Sequence, residues 1–147
     1  MFKRILVAVD GSDTAEQALL QAVNLARENQ ARLRIVHVID LVDLNLDAAV
    51  PIPGVSDAMI TSGQEILRKA ESVAKSAGIP VETQLLKIET LRRRVPEMIV
   101  ADAEAWPADL IVICTHGRTG LSHLFLGSVA EGVVRVATQP VLLIRGK

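Results

Sequence analysis

The chain has 147 residues, of which 50% are hydrophobic and 2% aromatic, a single cysteine, and a formal net charge of −1 at pH 7. This length and apolar content predict one folded domain over residues 1–147, while the charge and the scarcity of aromatic residues argue against nucleic-acid binding. The single cysteine excludes an internal disulfide. No signal peptide is evident, and no apolar run approaches the ~18–20 residues of a membrane span. We therefore expect a cytoplasmic protein without membrane contact.

The first segment predicts a buried strand followed by a capped helix. Residues 3–10 form an apolar run that ends in Asp-Gly-Ser, as expected of a strand covered on both faces. Apolar residues then recur at helical spacing from Ala15 to Ala26. Ser12 or Asp13 can cap this helix by accepting hydrogen bonds from its free N–H groups.

The middle of the chain predicts two further strands with a helix between them. The strands are expected over 32–39 and 81–88, and the partial alternation of the second places it near a sheet edge. Residues 40–55 lack clear periodicity and predict a long surface loop, which is often functional. The helix that follows has an apolar face running from Ile66 to Ala77.

The last third of the chain continues the alternation of strand and helix. Pro96 fits the first turn of a third helix, and a fourth strand is expected over 109–114. A fourth helix over 128–137 and a fifth strand over 140–144 follow. This order predicts a single-domain α/β protein, with a five-stranded parallel sheet and helices on both faces. Ligands of such sheets bind at the carboxyl ends of the strands, where the strand order reverses.

The segment after the fourth strand is the candidate anion site. Its glycines, between residues 117 and 127, let backbone N–H groups approach an anion without Cβ clashes. Ser128 and Glu131 have the spacing of a capping box, which predicts a helix start at Ser128 and hence a partly positive helix end. Arg118 adds a cation. The spacing matches neither a Walker loop nor the dinucleotide fingerprint, and a glycine-containing turn that feeds a capped helix is the alternative interpretation.

The sequence resembles the universal stress protein family over nearly its whole length. The resemblance rests on residues 5–12 and 33–39, and above all on 115–131 together with 140–144. It implies a Rossmann-like fold of the adenine nucleotide alpha hydrolase-like type. It also implies a homodimer joined through the last strand, by Val141, Leu142, Leu143 and Ile144. The uninterrupted apolar character of that strand agrees, because an exposed apolar edge invites pairing with another chain.

The resemblance also assigns roles to individual positions. Asp10 is expected at the ribose, with Ala8 and Val9 beside it, and the backbone of Val38 at the adenine edge. The wall around the phosphates and ribose is expected from Gly117, Arg118, Gly127, Ser128 and Val129. Two roles remain open for His116, a hydrogen bond to a phosphate and exposure to solvent. The implied ligand is ATP or another adenine nucleotide, with any Mg²⁺ held mainly by the phosphates.

Two departures from the family's pattern bear on function. Cys114 stands where the nucleotide-binding branch has the first glycine of its motif, so its side chain is expected to point into close-packed space near the nucleotide and to weaken or adjust binding. As a thiol, it is more readily interpreted as inert packing than as a reactive group. Arg92, Arg93 and Arg94 replace a glycine-containing turn, and a solvated surface run is favoured over contact with an anionic ligand or partner.

The expected function is that of a stress-response sensor or regulator that binds an adenine nucleotide. Hydrolysis is expected to be slow at most, because no carboxylate pair or activated nucleophile stands out in the sequence. One alternative is a dimeric stress or interaction protein that binds no nucleotide, for which Cys114 is the best support. An adenylylating enzyme is a third possibility, but 147 residues leave little room for a substrate domain.

Overall fold

The computed structural model describes residues 1–42, 54–116 and 126–146. The strands are β1 Arg4–Ala8, β2 Arg32–Asp40, β3 Val81–Ile88, β4 Leu110–Cys114 and β5 Val141–Ile144, and the helices are α1 Asp13–Asn29, α2 Val55–Ser76, α3 Val95–Ala105 and α4 Ser128–Val136. The strands form one parallel sheet in the order β3-β2-β1-β4-β5, which confirms the predicted fold class. No helix in these ranges is both long and apolar enough to cross a membrane.

Helices cover both faces of the sheet because successive side chains of each strand point to opposite sides. Ile5 and Val7 of β1 pack in a core cluster with residues of α1 and α2. Leu6 and Ala8 pack in a second cluster with residues of α3 and α4. A strand that is buried on both faces needs an uninterrupted apolar sequence, and β4 and residues 5–8 of β1 have one.

The strand order reverses between β1 and β4. From β1 the chain builds outward through β2 to β3 on one side, and β4 and β5 lie on the other side. Since β1 and β4 are parallel neighbours, with Val7 opposite Val112, their carboxyl ends open at the same edge. This edge is the one where ligands of such sheets bind, so Asp10 and His116 both follow strands that border the crevice.

Helix α2 begins at Val55, well before the apolar face that the sequence predicts from Ile66 onward. The periodicity breaks at Gly63, because a Cβ at that position would lie 2.9 Å from Leu85 Cδ1 and 3.1 Å from His37 Cδ2. Gly63 therefore has no side chain where α2 packs against the sheet. Because this position is not apolar, the sequence pattern does not reveal the first turns of α2. The rest of the predicted loop, residues 43–53, lies outside the described residues.

Helix α4 begins at Ser128 as predicted, but the predicted capping box is wrong. The N-cap is Gly127, one residue earlier, and no side chain caps the helix. The N–H of Gly127 donates to the carbonyl of Thr115 at 2.7 Å, which fixes the position of the helix start. Glu131 instead accepts a hydrogen bond from Arg135 Nη2 at 2.7 Å.

A cluster of charged side chains that sequence periodicity does not reveal lies at the amino ends of the strands. Arg34 donates from Nε and Nη2 to Asp102 at 2.7 and 2.9 Å, and from Nη1 to Glu82 at 3.1 Å. Trp106 Nε1 donates to Glu82 at 2.6 Å, and the guanidinium groups of Arg4 and Arg34 lie 5.5 and 5.9 Å from the centroid of its ring. The hydrogen bond to Asp102 raises the pKa of Arg34 further, so the guanidinium stays charged. This cluster fastens α3 to β2 and β3 at the edge opposite the crevice.

Candidate functional site

One side of the crevice is the turn between β1 and α1. Gly11 has a φ of 85°, a conformation that favours glycine, and so the chain turns sharply after Asp10. Oδ1 of Asp10 accepts a hydrogen bond from the N–H of Ser12 at 2.9 Å. Ser12 Oγ in turn accepts from the N–H of Ala15 at 3.2 Å, which confirms Ser12 as the predicted cap of α1. Asp10 is thereby held at the end of β1, where sequence reasoning expects it.

The other side of the crevice is the segment that follows β4. Thr14 Oγ1 donates to the carbonyl of His116 at 2.8 Å, which ties this segment to the first turn of α1. The N–H of Thr115 donates to the carbonyl of Ile144 at 2.9 Å, and Thr115 Oγ1 lies 3.0 Å from His116 Nδ1. His116 is therefore fixed where the predicted phosphate segment begins. Gly117 and Arg118, which belong to that segment, lie outside the described residues.

Gly127 is the point at which the chain returns to the end of β4. A Cβ on Gly127 would lie 2.7 Å from the carbonyl oxygen of Thr115 and 3.4 Å from the Cα of His116. Only glycine fits such a close backbone approach without a shift. The first turn of α4 is consequently held against the carboxyl end of β4, and its free N–H groups lie at the edge of the sheet.

A cavity of about 430 Å³ opens beside this crevice, between the ends of β2 and β3 and the first turns of α3 and α4. Its volume is in the range of small-molecule pockets. The residues that matter most for its chemistry are Asp40, Ile88, Arg94, Val95, Ser128 and Val129. Ser128 and Val129 are predicted site residues. Arg94 was weighed as a contact for an anionic ligand but interpreted as part of a solvated run, and Asp40, Ile88 and Val95 were missed. The rule that ligands bind beyond the carboxyl ends of strands could have pointed to Asp40 and Ile88, which end β2 and β3.

The remaining apolar site residues divide between the two faces of the sheet. Ala8 and Val38 pack in the same core cluster as Val129, on the side of the sheet that carries the cavity. Val9 packs with α1 and α2 on the other side. The carbonyl of Val9 lies 2.7 Å from Nδ1 of His37, which is buried.

Cys114 is buried and packs in the cluster formed with α1 and α2. Its side chain therefore lies on the face of the sheet opposite Val129, away from the cavity. Burial raises the pKa of the thiol, and the charge of Asp10 raises it further, while a hydrogen bond with Thr14 acts in the opposite direction. The thiol is thus protonated near neutral pH, as the interpretation of inert packing expects.

Comparisons with known proteins cover almost the whole chain. The sequence model of the universal stress protein family matches residues 1–145. The chain is 35% identical over 150 residues to a universal stress protein of Methanocaldococcus jannaschii, covering 99% of this chain and 83% of that protein.

Two solved structures extend the comparison to the fold. A universal stress protein family member from Burkholderia pseudomallei matches with a TM-score of 0.78 and 34% identity, over 97% of this chain and 95% of that one. The universal stress protein from Archaeoglobus fulgidus in complex with dAMP matches with a TM-score of 0.72 and 31% identity, over 97% of both chains.

Proposed function

This chain belongs to the universal stress protein family, and we propose that it binds an adenine nucleotide at the carboxyl edge of its sheet and thereby acts as a regulator in a stress response. The observation that carries the proposal is the cavity of about 430 Å³ that Ser128 and Val129 border at the first turn of α4. The related structure from Archaeoglobus fulgidus, which is in complex with dAMP, supports an adenine nucleotide as the ligand.

The proposed binding mode uses described groups at this edge together with Gly117 and Arg118 of the predicted phosphate segment. Asp10 accepts hydrogen bonds from ribose hydroxyl groups, and the backbone of Val38 contacts the adenine edge. The first N–H groups of α4, at Ser128 and Val129, face the phosphates, where the partly positive helix end favours negative charge. His116, Gly117 and Arg118 complete the proposed phosphate contacts. The thiol of Cys114 packs in the cluster formed with α1 and α2, on the face of the sheet opposite Val129, so we propose that it does not prevent binding.

We propose ATP as the ligand, or another adenine nucleotide, with any Mg²⁺ held mainly by the phosphates. A regulator needs a bound state that persists, so hydrolysis is expected to be slow at most. Turnover of several ATP molecules per second, a rate typical of enzymes, would contradict this proposal.

The proposal is tested by a substitution that introduces a negative charge at the amino end of α4, where the phosphates are proposed to bind. An Asp side chain at the first position of α4 interacts favourably with the partly positive amino end of the helix. The variant Ser128→Asp is therefore expected to fold as well as the natural protein. The same carboxylate repels a phosphate that is bound there. We expect micromolar binding of ATP by the natural protein and a loss of at least about tenfold in the variant, measured by isothermal titration calorimetry.

The matched control is Ser72→Asp, which makes the same change at an exposed position of α2. It alters the net charge equally but lies toward the end of α2, away from the carboxyl edge of the sheet. We expect its affinity for ATP to stay within about twofold of the natural value. If the natural protein binds no adenine nucleotide, the proposal fails, and a dimeric interaction protein becomes the better description.

A further inference from the structure

We propose that Arg94 makes the cavity selective for phosphorylated ligands, by pairing its guanidinium with the anionic group of the bound nucleotide. This inference rests on the proposed function and assigns a specificity-determining residue to the same site. It departs from the sequence expectation that Arg92, Arg93 and Arg94 form a solvated run. Arg94 lines the cavity, whereas Arg92 and Arg93 do not.

The guanidinium of Arg94 is available for a ligand. Arg94 is exposed and is the N-cap residue of α3, where its backbone N–H donates to Glu97 Oε2 at 3.1 Å. In the described ranges no carboxylate lies within ion-pair distance of its side chain, in contrast to Arg34, which is paired with Asp102 and Glu82. A guanidinium at the rim of a pocket can bind phosphate oxygens through two parallel hydrogen bonds.

Arg94 and Ser128 belong to one continuous wall because α3 and α4 are in direct contact. A Cβ on Gly132 of α4 would lie 2.4 Å from Cγ of Pro96 in the first turn of α3. This close approach brings the first turns of both helices to the same cavity. The amino end of α4, the Ser128 hydroxyl and the Arg94 guanidinium all favour a negatively charged group.

The rest of the lining fits the neutral part of a nucleotide. Ile88, Val95 and Val129 supply apolar surface, and Asp40 supplies a carboxylate. Oδ1 of Asp40 accepts a hydrogen bond from the N–H of Val42 at 3.1 Å, which holds the carboxylate at the end of β2. A carboxylate accepts hydrogen bonds from hydroxyl and amino groups, which a nucleoside carries. The cavity therefore suits a ligand that joins a nucleoside to a phosphate.

The experiment compares AMP with adenosine, which differ by the phosphate. Isothermal titration calorimetry is run on the natural protein, on Arg94→Gln, and on the control Arg92→Gln, which removes the same charge from the same turn outside the cavity. We expect Arg94→Gln to weaken AMP binding at least about tenfold while adenosine binding stays within about twofold. Arg92→Gln is expected to change neither affinity by more than about twofold.

The outcomes separate this inference from the function on which it rests. If the natural protein binds AMP and Arg94→Gln binds it equally well, only the inference about Arg94 is wrong. If Arg94→Gln weakens AMP and adenosine equally, Arg94 supports the cavity or stacks on the base rather than pairing with phosphate, and the inference is also wrong. If the natural protein binds neither ligand, the proposed function fails together with it. Thermal unfolding of each variant, expected to match the natural protein, excludes loss of the fold as the cause.

Discussion

The alternation of side chains between the two faces of β4 decides what the side chain at position 114 can contact. Val112 and Cys114 point to the face covered by α1 and α2, and Ile113 points to the face covered by α3 and α4. Cys114 therefore borders the crevice with its backbone while its thiol fills the core behind it. The expectation that this side chain lies close to the nucleotide rests on a motif position and stays a prediction, and the thiol interacts with Asp10 and Thr14 at the end of the crevice.

We predict that Cys114→Ala costs stability without changing nucleotide affinity. The substitution leaves a small void between β4 and α1, so the free energy of unfolding is expected to fall by ~1 kcal/mol. The cavity lies on the other face, so the dissociation constant for AMP is expected to stay within about twofold. Guanidinium denaturation and calorimetry measure the two quantities, and a large change in affinity with unchanged stability would place the thiol at the ligand instead.

The pH dependence of the same comparison provides an independent check. Burial raises the pKa of the folded Cys114 thiol above its value in the unfolded chain. The folded state then binds this proton more tightly, so the stabilising contribution is complete below the unfolded pKa and is lost as the pH rises through the folded pKa. The stability advantage of the natural protein over Cys114→Ala is expected to shrink between neutral pH and ~pH 10. An advantage that grows in this window would mean that the thiolate is stabilised.

At the scale of elements, the contact between α3 and α4 defines the wall of the cavity. Gly132 lies inside α4, where glycine is unfavourable relative to alanine by ~1 kcal/mol. The cost is offset by the approach of Pro96, whose ring atoms occupy the space of the missing side chain. The contact at this glycine is therefore between two helices. The two first turns that border the cavity are consequently held together.

Gly132→Ala is expected to destabilise the protein although it improves the helix propensity of α4. The new Cβ clashes with Cγ and Cβ of Pro96, and such overpacking costs ~1–3 kcal/mol, more than the propensity gain of ~1 kcal/mol. Thermal unfolding measures the net effect, and AMP affinity is expected to fall as the wall opens.

The control for Gly132→Ala is Ser72→Ala, which also raises helix propensity but at an exposed position of α2. It is expected to leave stability unchanged or slightly improved. Equal stabilisation by both variants would show that Pro96 yields easily and that the contact does not hold the two helices.

The helices and strands were predictable because the spacing of apolar residues along the local sequence differs between the two kinds of element. The strand–helix order and the cap at Ser12 follow from neighbouring residues. The helix start at Ser128 was predicted at the right residue, but from a capping box that does not form. Pairings between distant residues have no such signal. Arg34 and Asp102, joined by two hydrogen bonds, are far apart in the chain. Arg94 and Ser128 line the same cavity, which depends on how two helices pack. The crevice was therefore predicted, whereas most of the cavity lining was not.

At the scale of the whole molecule, the two edges of the sheet differ in character. The edge strand β3 carries Glu82 and Lys87, and charged side chains on an edge oppose pairing with another sheet. The other edge strand, β5, is Val-Leu-Leu-Ile, and all four residues are half-buried. Beside it, Val134 and Val136 of α4 are exposed by 47% and 44%. This asymmetry supports the proposal that the chain forms a homodimer through β5.

The hydrogen-bonding pattern of β5 predicts how the dimer can be tested. The carbonyl groups of Pro140 and Ile144 accept hydrogen bonds from Ile111 of β4 and from Thr115, which follows β4, at 3.0 and 2.9 Å. Backbone groups alternate along a strand, so the N–H of Leu143 points to the open edge. Proline at position 143 removes that donor and keeps the ladder with β4. In a symmetric dimer each protomer loses one bond of ~1 kcal/mol, so Leu143→Pro is expected to weaken association about 30-fold.

Leu143→Ala is the matched control, because it removes the same side chain but retains the amide. Sedimentation over a range of concentrations is expected to show a tighter dimer for Leu143→Ala than for Leu143→Pro, since only the second loses backbone pairing. If both variants dissociate equally, side-chain packing rather than strand pairing joins the protomers. A natural protein that is monomeric at every concentration would mean that Arg145, which follows β5, keeps this edge soluble despite its apolar side chains.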